Sequence, residues 1–354
     1  MSGSVWGELF RISTFGESHG KAVGVVVEGV SPNLPLCEED VQKELDRRKP
    51  GQSDLTTPRQ ESDTVHILSG VFEGKATGAP IAMLVWNADQ RPAAYDTIKD
   101  LFRPGHADFT FLKKYGIRDH RGSGRSSGRE TAARVAAGAI AKKMLTEQGV
   151  AIHAGTIQVG SIRTDKRDWD VVEKNPVRCP DAEVAEKMAD LIRQMASEKD
   201  SVGGIIECRI QGVPVGLGEP VFDKLDADLA KAMLSLGAVK GIEFGAGFSA
   251  VAMRGSQHND AITPNGFVTN NAGGIVGGIS NGDEIIFRIA VKPTSSIATP
   301  QQSIDVQGQP ATVVTEGRHD PCICPRIIPV VEAMAALTLV DHWKRQMSIG
   351  LGAF

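Results

Sequence analysis

The sequence has few aromatic residues, few cysteines and no long apolar run, and each absence excludes a class of protein. Aromatic residues make up 5% of the 354 positions, without the ring-rich motifs of RNA-recognition domains. The five cysteines are scattered, and because only Cys322 and Cys324 lie close together, we expect reduced thiols and no zinc or other metal site. The longest apolar stretches, residues 81–86 and 333–340, are too short to span a bilayer.

An excess of positive charge is missing as well. The formal net charge is −4, so the chain as a whole is not expected to attract nucleic acid or an anionic membrane. The N-terminal MSGSVWGELF lacks the basic start and apolar run of an export signal, so we expect a cytoplasmic protein. Any basic site must therefore be local.

Hydrophobic patterning predicts an α+β fold with antiparallel sheets. Strand patterns cover 21–30, 202–211, 246–254 and 284–291, two more strands fall within 66–87, and helical patterns cover 37–51, 128–148, 181–199 and 327–346. Because strands and helices do not alternate regularly, a doubly wound parallel sheet is not expected. Asn281-Gly282 predicts a hairpin between the segments that flank it. No linker divides the chain, so residues 1–354 are predicted to form one domain.

Positive charge is concentrated between residues 103 and 129, where seven Lys and Arg residues accompany two Asp. The Gly-rich segment RDHRGSGRSSGRE, residues 118–130, ends where a small-residue helix begins. Ser127 and Glu130 fit a capping box, and the unpaired amides at a helix start favour a bound anion. The segment predicts a phosphate site, although it lacks the GxxxxGKS/T pattern of a P-loop. A solvated basic loop and an RNA-binding segment are the alternatives.

The stretch GESHG, residues 16–20, matches the GxSxG elbow of serine hydrolases in its letters alone. That elbow needs a strand before the serine and a helix after it, whereas residues 21–30 have a strand pattern. We therefore interpret the stretch as a loop that exposes Ser18 and His19. Histidine changes charge near neutral pH, so His19 is either a proton donor or a structural residue.

Two late segments add candidate ligand-binding side chains. In VKPTSSIATP, residues 291–300, Lys292 precedes three hydroxyl residues, Thr294, Ser295 and Ser296. This pattern suits a phosphate or a polyol chain, or else a Ser/Thr-rich turn. The segment EGRHDPCICPR, residues 316–326, brings Arg318, His319 and Asp320 close to the last helix.

Six motifs together resemble the chorismate synthase family of the bacterial type. They are GESHG (16–20), LDRRKPG (45–51), RPGHAD (103–108), GRSSGRET (124–131), KPTSS (292–296) and GRHDPC (317–322). The resemblance implies an anti-1,4-elimination that converts 5-enolpyruvylshikimate 3-phosphate into chorismate and phosphate, with reduced FMN and no net redox change. It also implies a β-α-β sandwich with helices between antiparallel sheets, and a homotetramer with FMN sites near subunit contacts.

The resemblance assigns roles to particular residues. His19 would assist the leaving phosphate, His106 would protonate the reduced flavin, and Asp320 would support proton removal through flavin N5. Flavin contacts would fall on Arg125, Ser126, Ser127, Gly237, Ala238, Gly277, Lys292, Pro293, Thr294, Ser295, Ser296 and Arg318. Substrate anions would meet Arg48, Arg103, Arg129 and Arg318. Arginines suit these ligands because a guanidinium stays charged and grips carboxylate or phosphate as a fork.

One position departs from the family pattern. Asp54 stands where many bacterial members carry an arginine linked to substrate or NADPH contact, so either Arg59 or another base substitutes or the NADP contact is incomplete here. No flavin-reductase segment is visible in the sequence. We therefore expect an external flavin reductase, with NADPH only as a possible source of reducing equivalents.

Overall fold

Most of the expected strands and helices form in the computed structural model, which describes residues 3–57, 59–89, 92–315 and 317–349. The strands in chain order are β1 Val5–Trp6, β2 Arg11–Gly16, β3 Ala22–Glu28, β4 Val65–Ile67, β5 Val71–Phe72, β6 Lys75–Ala76, β7 Ile81–Trp86, β8 Ala151–Val159, β9 Ile162–Arg163, β10 Gly204–Gln211, β11 Val239–Phe244, β12 Ile262–Thr263, β13 Gly266–Phe267, β14 Ile275–Val276, β15 Ile279–Ser280, β16 Ile285–Val291, β17 Gln301–Ile304 and β18 Pro310–Val313. The helices are α1 Glu38–Arg48, α2 Asp108–Tyr115, α3 Thr131–Thr146, α4 Ala182–Ser197, α5 Leu225–Leu234, α6 Gly255–His258 and α7 Cys324–Ser348.

Two five-stranded sheets form the outer layers of the fold. The first has the strand order β1-β2-β3-β7-β4 and the second has the order β11-β16-β10-β8-β9, and the strand pairs of both are antiparallel. In β3, Val23, Val25 and Val27 alternate along the strand and are fully buried. Because successive side chains of a strand point to opposite faces, this alternation turns one face of the first sheet towards the core.

The helices lie between the two sheets. Helix α3 packs against the first sheet, α7 packs against the second, and the two helices pack on each other. Their axes come close at Gly138, where an added Cβ would lie 2.3 Å from the Cβ of Ala333. The predicted α+β fold, a β-α-β sandwich with helices between antiparallel sheets, is confirmed.

The last helix is the centre of this middle layer. Helix α7 runs from Cys324 to Ser348 and is buried along most of its length, so it is apolar on nearly every side, as expected for a helix enclosed by other elements. It contains the expected helix at 327–346 and extends it by three residues at its start. No helix within the described ranges combines the length and the apolar character needed to cross a membrane.

Two expectations about the β segments are wrong. Residues 246–254 do not form a strand, and β11 ends at Phe244. Gly245 and Gly247 have φ values of 52° and 54°, which an extended strand does not allow. The chain bends at Asn281-Gly282, but the strands on either side of this bend, β15 and β16, do not pair with each other as a hairpin. Strand β15 pairs with β14, whereas β16 lies between β10 and β11.

Candidate active site

A cleft of about 770 Å³ collects side chains from segments far apart in the sequence. It lies where the C-terminal end of α1, the N-terminal ends of α3 and α7, and the segments beside β11 and β16 meet. Of the side chains and backbone positions predicted to bind or act, sixteen line it: His19, Arg48, Arg103, His106, Arg125, Ser126, Ser127, Arg129, Gly237, Ala238, Lys292, Thr294, Ser295, Ser296, Arg318 and Asp320. The fold therefore brings together residues that the sequence separates by up to three hundred positions.

Positive charge dominates the lining of this cleft. Ten Lys and Arg side chains line it among the described residues, against two acidic ones, Glu130 and Asp320. The whole chain has a net charge of −4, so the cleft is locally opposite in sign to the protein. Such a concave cationic surface attracts ligands with several negative charges.

The buried carboxylate of Asp63 holds two of the candidate substrate arginines side by side. Arg48 Nη1 lies 3.1 Å from one Asp63 oxygen, and Arg129 Nη1 donates to the other. Burial by itself raises the pKa of Asp63, but the charges of Arg48 and Arg129 outweigh it and hold the pKa below its usual value. Burial lowers the pKa of Arg48 to about 9, so its guanidinium remains charged at neutral pH. Glu61 lies 4.0 Å from Arg129 Nη2 and also pairs with Arg59, so three arginines meet two carboxylates and leave a net positive charge at the floor of the cleft.

Asp108 holds the third candidate substrate arginine, Arg103, in the same way. Its two oxygens accept hydrogen bonds from Arg103 Nε at 2.8 Å and Arg103 Nη2 at 2.9 Å, and Arg118 Nη1 lies 2.9 Å away. Burial raises the pKa of Asp108, and the hydrogen bonds from Arg103 together with the nearby His106 more than offset this, so the carboxyl is ionised at all ordinary pH values. Arg103 is therefore fixed before any ligand binds.

His106 lies against both Asp108 and a serine hydroxyl. Its Nε2 is 2.8 Å from Ser123 Oγ, and its Nδ1 is 3.1 Å from Asp108 Oδ1, a distance typical of an ion pair, but without the angle of a hydrogen bond. Burial lowers the pKa of His106, although the nearby Asp108 acts in the opposite direction. The free cleft thus favours a neutral His106 at neutral pH.

His19 is buried, not exposed as the sequence suggested. Ser18 and His19 are 1% and 7% exposed, because Gly122 packs directly on the imidazole, where an added Cβ would lie 2.1 Å from its Cε1. The Nδ1 atom is 3.0 Å from Ser18 Oγ. Burial and then the charge of Arg59 lower the pKa of His19 to about 4. No helix follows Ser18, so the hydrolase elbow is excluded here.

The start of α3 differs from the predicted capping box. Ser127 Oγ accepts from the Arg129 backbone N–H at 3.3 Å, two residues on instead of three. Glu130 does not reach back: its oxygens accept from Thr14 Oγ1 at 2.9 Å and Arg134 Nε at 2.8 Å. Glu130 is thus held between Thr14 of the first sheet and Arg134, one turn along the helix. Residues 126–131 still line the cleft, as an anion site at a helix start requires.

Asp320 is held on both of its oxygens. One accepts from the Thr57 backbone N–H at 2.9 Å and the other from Arg326 Nη1 at 2.5 Å. The neighbouring His319 has its pKa lowered to about 4 by burial and then by the charge of Arg103. Arg318 donates to the side chain and the backbone carbonyl of Asp89. The GRHD motif therefore presents a fixed carboxylate, a neutral imidazole and a fixed guanidinium to the same cleft.

Three residues flagged in the sequence lie outside the lining of the cleft. Gly277 sits at the turn between β14 and β15, and Pro293 is turned away from the cleft, towards Gly203. Asp54 is exposed and pairs with Arg193 at 2.7 Å. The cleft formed by one chain therefore gives no support for flavin contacts at Gly277 or Pro293. Arg59 does line the cleft, where it could replace the missing arginine.

The sequence analysis missed the residues that hold the site together. Asp63 and Asp108 are buried carboxylates behind arginines, and Arg134, Lys240 and Arg326 add cations to the lining. Asp108 belongs to the RPGHAD motif and Arg326 follows GRHDPC closely, so these motifs could have identified both residues as part of the site. Asp63, Arg134 and Lys240 lie in segments without a motif, and only their spatial neighbours identify them.

The chemistry of the cleft follows from this geometry. Its arginines are locked by carboxylates, its histidines are neutral, and its cations outnumber its acids. Cations fixed in advance bind anions without the cost of ordering long side chains. The fold and the site therefore define an α+β protein whose preorganised cationic cleft accepts a ligand with several negative charges.

Comparison with known proteins identifies which protein family has this cleft. A sequence profile of the chorismate synthase family matches residues 10–343. The chain is 57% identical over 350 residues to chorismate synthase of Opitutus terrae, covering 96% of both chains, and 56% identical over 354 residues to that of Methanosarcina mazei, covering 98% of this chain and 97% of the relative. A solved structure described as "Crystal Structure of Chorismate Synthase" superposes with a TM-score of 0.78 at 32% identity, covering 96% of this chain and 93% of that one. The chain belongs to the chorismate synthase family and is a carbon–oxygen lyase acting on phosphates.

Proposed function

We propose that the cleft converts 5-enolpyruvylshikimate 3-phosphate into chorismate and phosphate by anti-1,4-elimination, the last common step towards the aromatic amino acids, with reduced FMN bound beside the substrate. The observation that carries this proposal is the convergence of ten cations on one cleft in a member of the chorismate synthase family. The substrate has a phosphate and two carboxylates, and FMN has a further phosphate. A less cationic cleft would not hold so many anions together.

The residues present fit a flavin as well as the substrate. Four buried polar atoms of the cleft residues, His106 Nδ1, Thr294 Oγ1, His319 Nε2 and Arg326 Nε, have no hydrogen-bond partner within the described residues, and such atoms are expected to find one in a bound ligand. The volume of about 770 Å³ lies within the usual range of about 300–1,000 Å³ for cofactor and ligand sites. We assign the flavin to Arg125, Ser126, Ser127, Gly237, Ala238, Lys292, Thr294, Ser295, Ser296 and Arg318.

Substrate binding then rests on the three arginines held by carboxylates. Arg48 and Arg129, fixed by Asp63, and Arg103, fixed by Asp108, would bind the substrate anions. Binding so many negative charges raises the pKa of neighbouring histidines. His19 is neutral before the ligand binds and would become protonated next to a phosphate dianion. The added proton would be on Nε2, because Nδ1 faces Ser18. A protonated His19 stabilises the charge on the departing phosphate.

Two further groups handle protons. His106 Nε2 faces the Ser123 hydroxyl, so a proton that leaves this nitrogen for the cleft passes through that hydroxyl. Asp320, kept in place by Thr57 and Arg326, is positioned to support removal of the substrate proton. Bound reduced FMN would supply transient electron density to the substrate, without net oxidation.

The test is an anaerobic assay of the purified protein. With 5-enolpyruvylshikimate 3-phosphate, FMN and dithionite, we expect equal amounts of chorismate and phosphate. We expect no product when the FMN is left oxidised, and none with NADPH and FMN unless a flavin reductase is added. Full turnover with oxidised FMN would contradict the proposed chemistry.

We also infer a homotetramer in the cytoplasm. Phe222 and Val251 are 91% and 90% exposed, and burial against another copy of the chain would remove their apolar surface from water. Analytical ultracentrifugation tests the assembly, and a monomer at micromolar concentration would exclude it. The RNA-binding alternative is not favoured, because three of the seven cations of 103–129 that suggested it, Arg103, Arg125 and Arg129, line the cleft.

A further inference from the structure

Asn87 lies where the first sheet meets the loop that carries His19. It directly follows β7, whose last residue pairs with the first residue of β3. The Asn87 backbone N–H continues this pairing by donating to the Lys21 carbonyl at 3.0 Å. The antiparallel register therefore brings Asn87 next to the turn at residues 17–20, which leads into β3.

The side-chain amide of Asn87 uses both of its N–H donors on this turn. Its Nδ2 lies 2.9 Å from the Glu17 carbonyl oxygen and 2.9 Å from the Gly20 carbonyl oxygen. The Gly20 backbone N–H closes the turn by donating to the Glu17 carbonyl at 3.2 Å. Asn87, which is only 9% exposed, thus holds both ends of the short segment that contains Ser18 and His19.

The oxygen of the same amide holds a candidate substrate arginine. Asn87 Oδ1 accepts a hydrogen bond from Arg129 Nε at 2.8 Å, and the Trp86 carbonyl accepts one from Arg129 Nη2 at 3.2 Å. A carbonyl only accepts and a guanidinium only donates, so these partners fix the orientation of the amide. A carboxylate could not replace it, because the turn needs two donors and the arginine needs an acceptor.

This arrangement bears on the distance between two groups that would act on the same substrate. His19 and Arg129 line the cleft, whereas Asn87 does not. Arg129 would hold a substrate anion while His19 assists the leaving phosphate, so turnover requires a fixed separation between them. A misplacement of about 1 Å in such a pair can lower a rate by about 100-fold.

We propose that Asn87 is a positioning residue for the elimination, whose side-chain amide fixes the turn of His19 relative to Arg129. Asn87 lies outside the six sequence motifs, and none of them implies a role for it. The inference rests on the proposed function, because that function gives His19 and Arg129 their roles.

The experiment compares Asn87→Leu with a matched control, Asn175→Leu. The Asn175 amide also donates to two carbonyls, those of Val171 and Cys179, and accepts from a backbone N–H, but it does not line the cleft. In the anaerobic assay with FMN and dithionite, we expect kcat to fall about 10- to 100-fold in Asn87→Leu and to be unchanged in Asn175→Leu. Urea denaturation should show losses of stability in both variants.

Substrate binding separates a positioning role from a general loss of structure. Arg129 keeps Asp63 and the Trp86 carbonyl as partners, so calorimetric titration of Asn87→Leu with 5-enolpyruvylshikimate 3-phosphate should show less than about a tenfold loss of affinity. Asn87→Gln, which retains both kinds of hydrogen-bonding group, should recover part of kcat. If Asn87→Leu does not fold, Asn87→Ser and Asn175→Ser provide the same comparison.

A second arm tests whether Asn87 acts through His19. In a His19→Gln background, adding Asn87→Leu should lower kcat by less than about twofold further, because the group that it positions is already absent. Independent, multiplying losses would overturn the proposal, as would an unchanged kcat in Asn87→Leu or an equal loss in Asn175→Leu. A loss confined to substrate affinity would also overturn it. Failure of the proposed function is a different result, namely no chorismate from the unmodified protein.

Discussion

Arg47 and Arg48 are consecutive residues at the end of α1, yet they belong to two different charge networks. Arg47 contacts Glu44, Glu173 and Glu332 at 2.6–2.8 Å, and Lys142 shares two of these acids. Arg48 shares the single carboxylate of Asp63 with Arg129. Successive residues of a helix point about 100° apart, so one arginine lies in the helical layer and the other in the cleft.

The difference between the networks lies in their balance of charge. Around Glu332, three cations meet three carboxylates, since Arg178 also pairs with Glu173, and this network has no charge left for an anionic ligand. Around Asp63, three arginines, Arg48, Arg59 and Arg129, meet two carboxylates, Asp63 and Glu61. Excess of one sign of charge is therefore what distinguishes a binding site from a structural network.

The largest effect on stability is expected from Glu332→Ala. This change leaves Arg47 and Lys142 partly unpaired in a buried setting, which costs about 3–5 kcal/mol of unfolding free energy. Turnover of the molecules that remain folded should be unchanged, because Glu332 does not line the cleft. Urea denaturation and steady-state kinetics of the same preparation measure both. Glu44→Ala, at a more exposed acid, should cost less. A loss of turnover without a loss of stability would contradict the comparison.

The largest effect on activity is expected from Arg48→Ala. Loss of a guanidinium that binds a substrate anion should lower kcat/KM by about 100-fold or more. Stability should fall less than in Glu332→Ala, since Asp63 keeps Arg129 as a partner. Arg48→Lys retains the charge but not the fork, so it should restore activity only in part. If Arg47→Lys reduced kcat/KM as strongly as Arg48→Lys, the two networks would not be separate in function.

A smaller effect is expected from pH. The pKa of His19 falls from 6.5 to about 4 in the folded protein, so between these values the unfolded chain binds a proton that the folded chain does not. This contribution to stability is complete above pH 6.5 and is lost as the pH falls towards 4. His19→Gln should therefore lose less stability than the unmodified protein between pH 7 and pH 5. Melting temperatures at the two pH values test this, and identical losses would contradict it.

The smallest effect is expected from Asp54→Ala. Asp54 is exposed and pairs with Arg193 on the surface, and exposed ion pairs contribute at most about 1 kcal/mol. We expect stability within about 1 kcal/mol of the unmodified protein and a kcat/KM changed by less than about twofold. A large loss of substrate affinity would mean that this position reaches the substrate despite its surface location.

The fold was predictable where local pattern and burial agree. The alternating valines of β3 and the small-residue helix α3 formed as expected, because each buries one continuous apolar surface. The errors at 246–254 and Asn281-Gly282 arose where glycine allows backbone that the apolar pattern does not specify. The pairing of β16 with β10 and β11 depends on strands distant in sequence, and no local signal encodes it.

The sequence alone determined which residue types the protein has for its chemistry: the motif arginines, His19, His106, Asp320 and the hydroxyls of 294–296. Only the tertiary structure decided that His19 is buried and neutral, that Asp63 and Asp108 hold the arginines, and that Asn87 joins the turn of His19 to Arg129. The physical reason is that a side chain's charge is local, whereas its pKa and its partners depend on the groups that folding brings within a few ångströms of it.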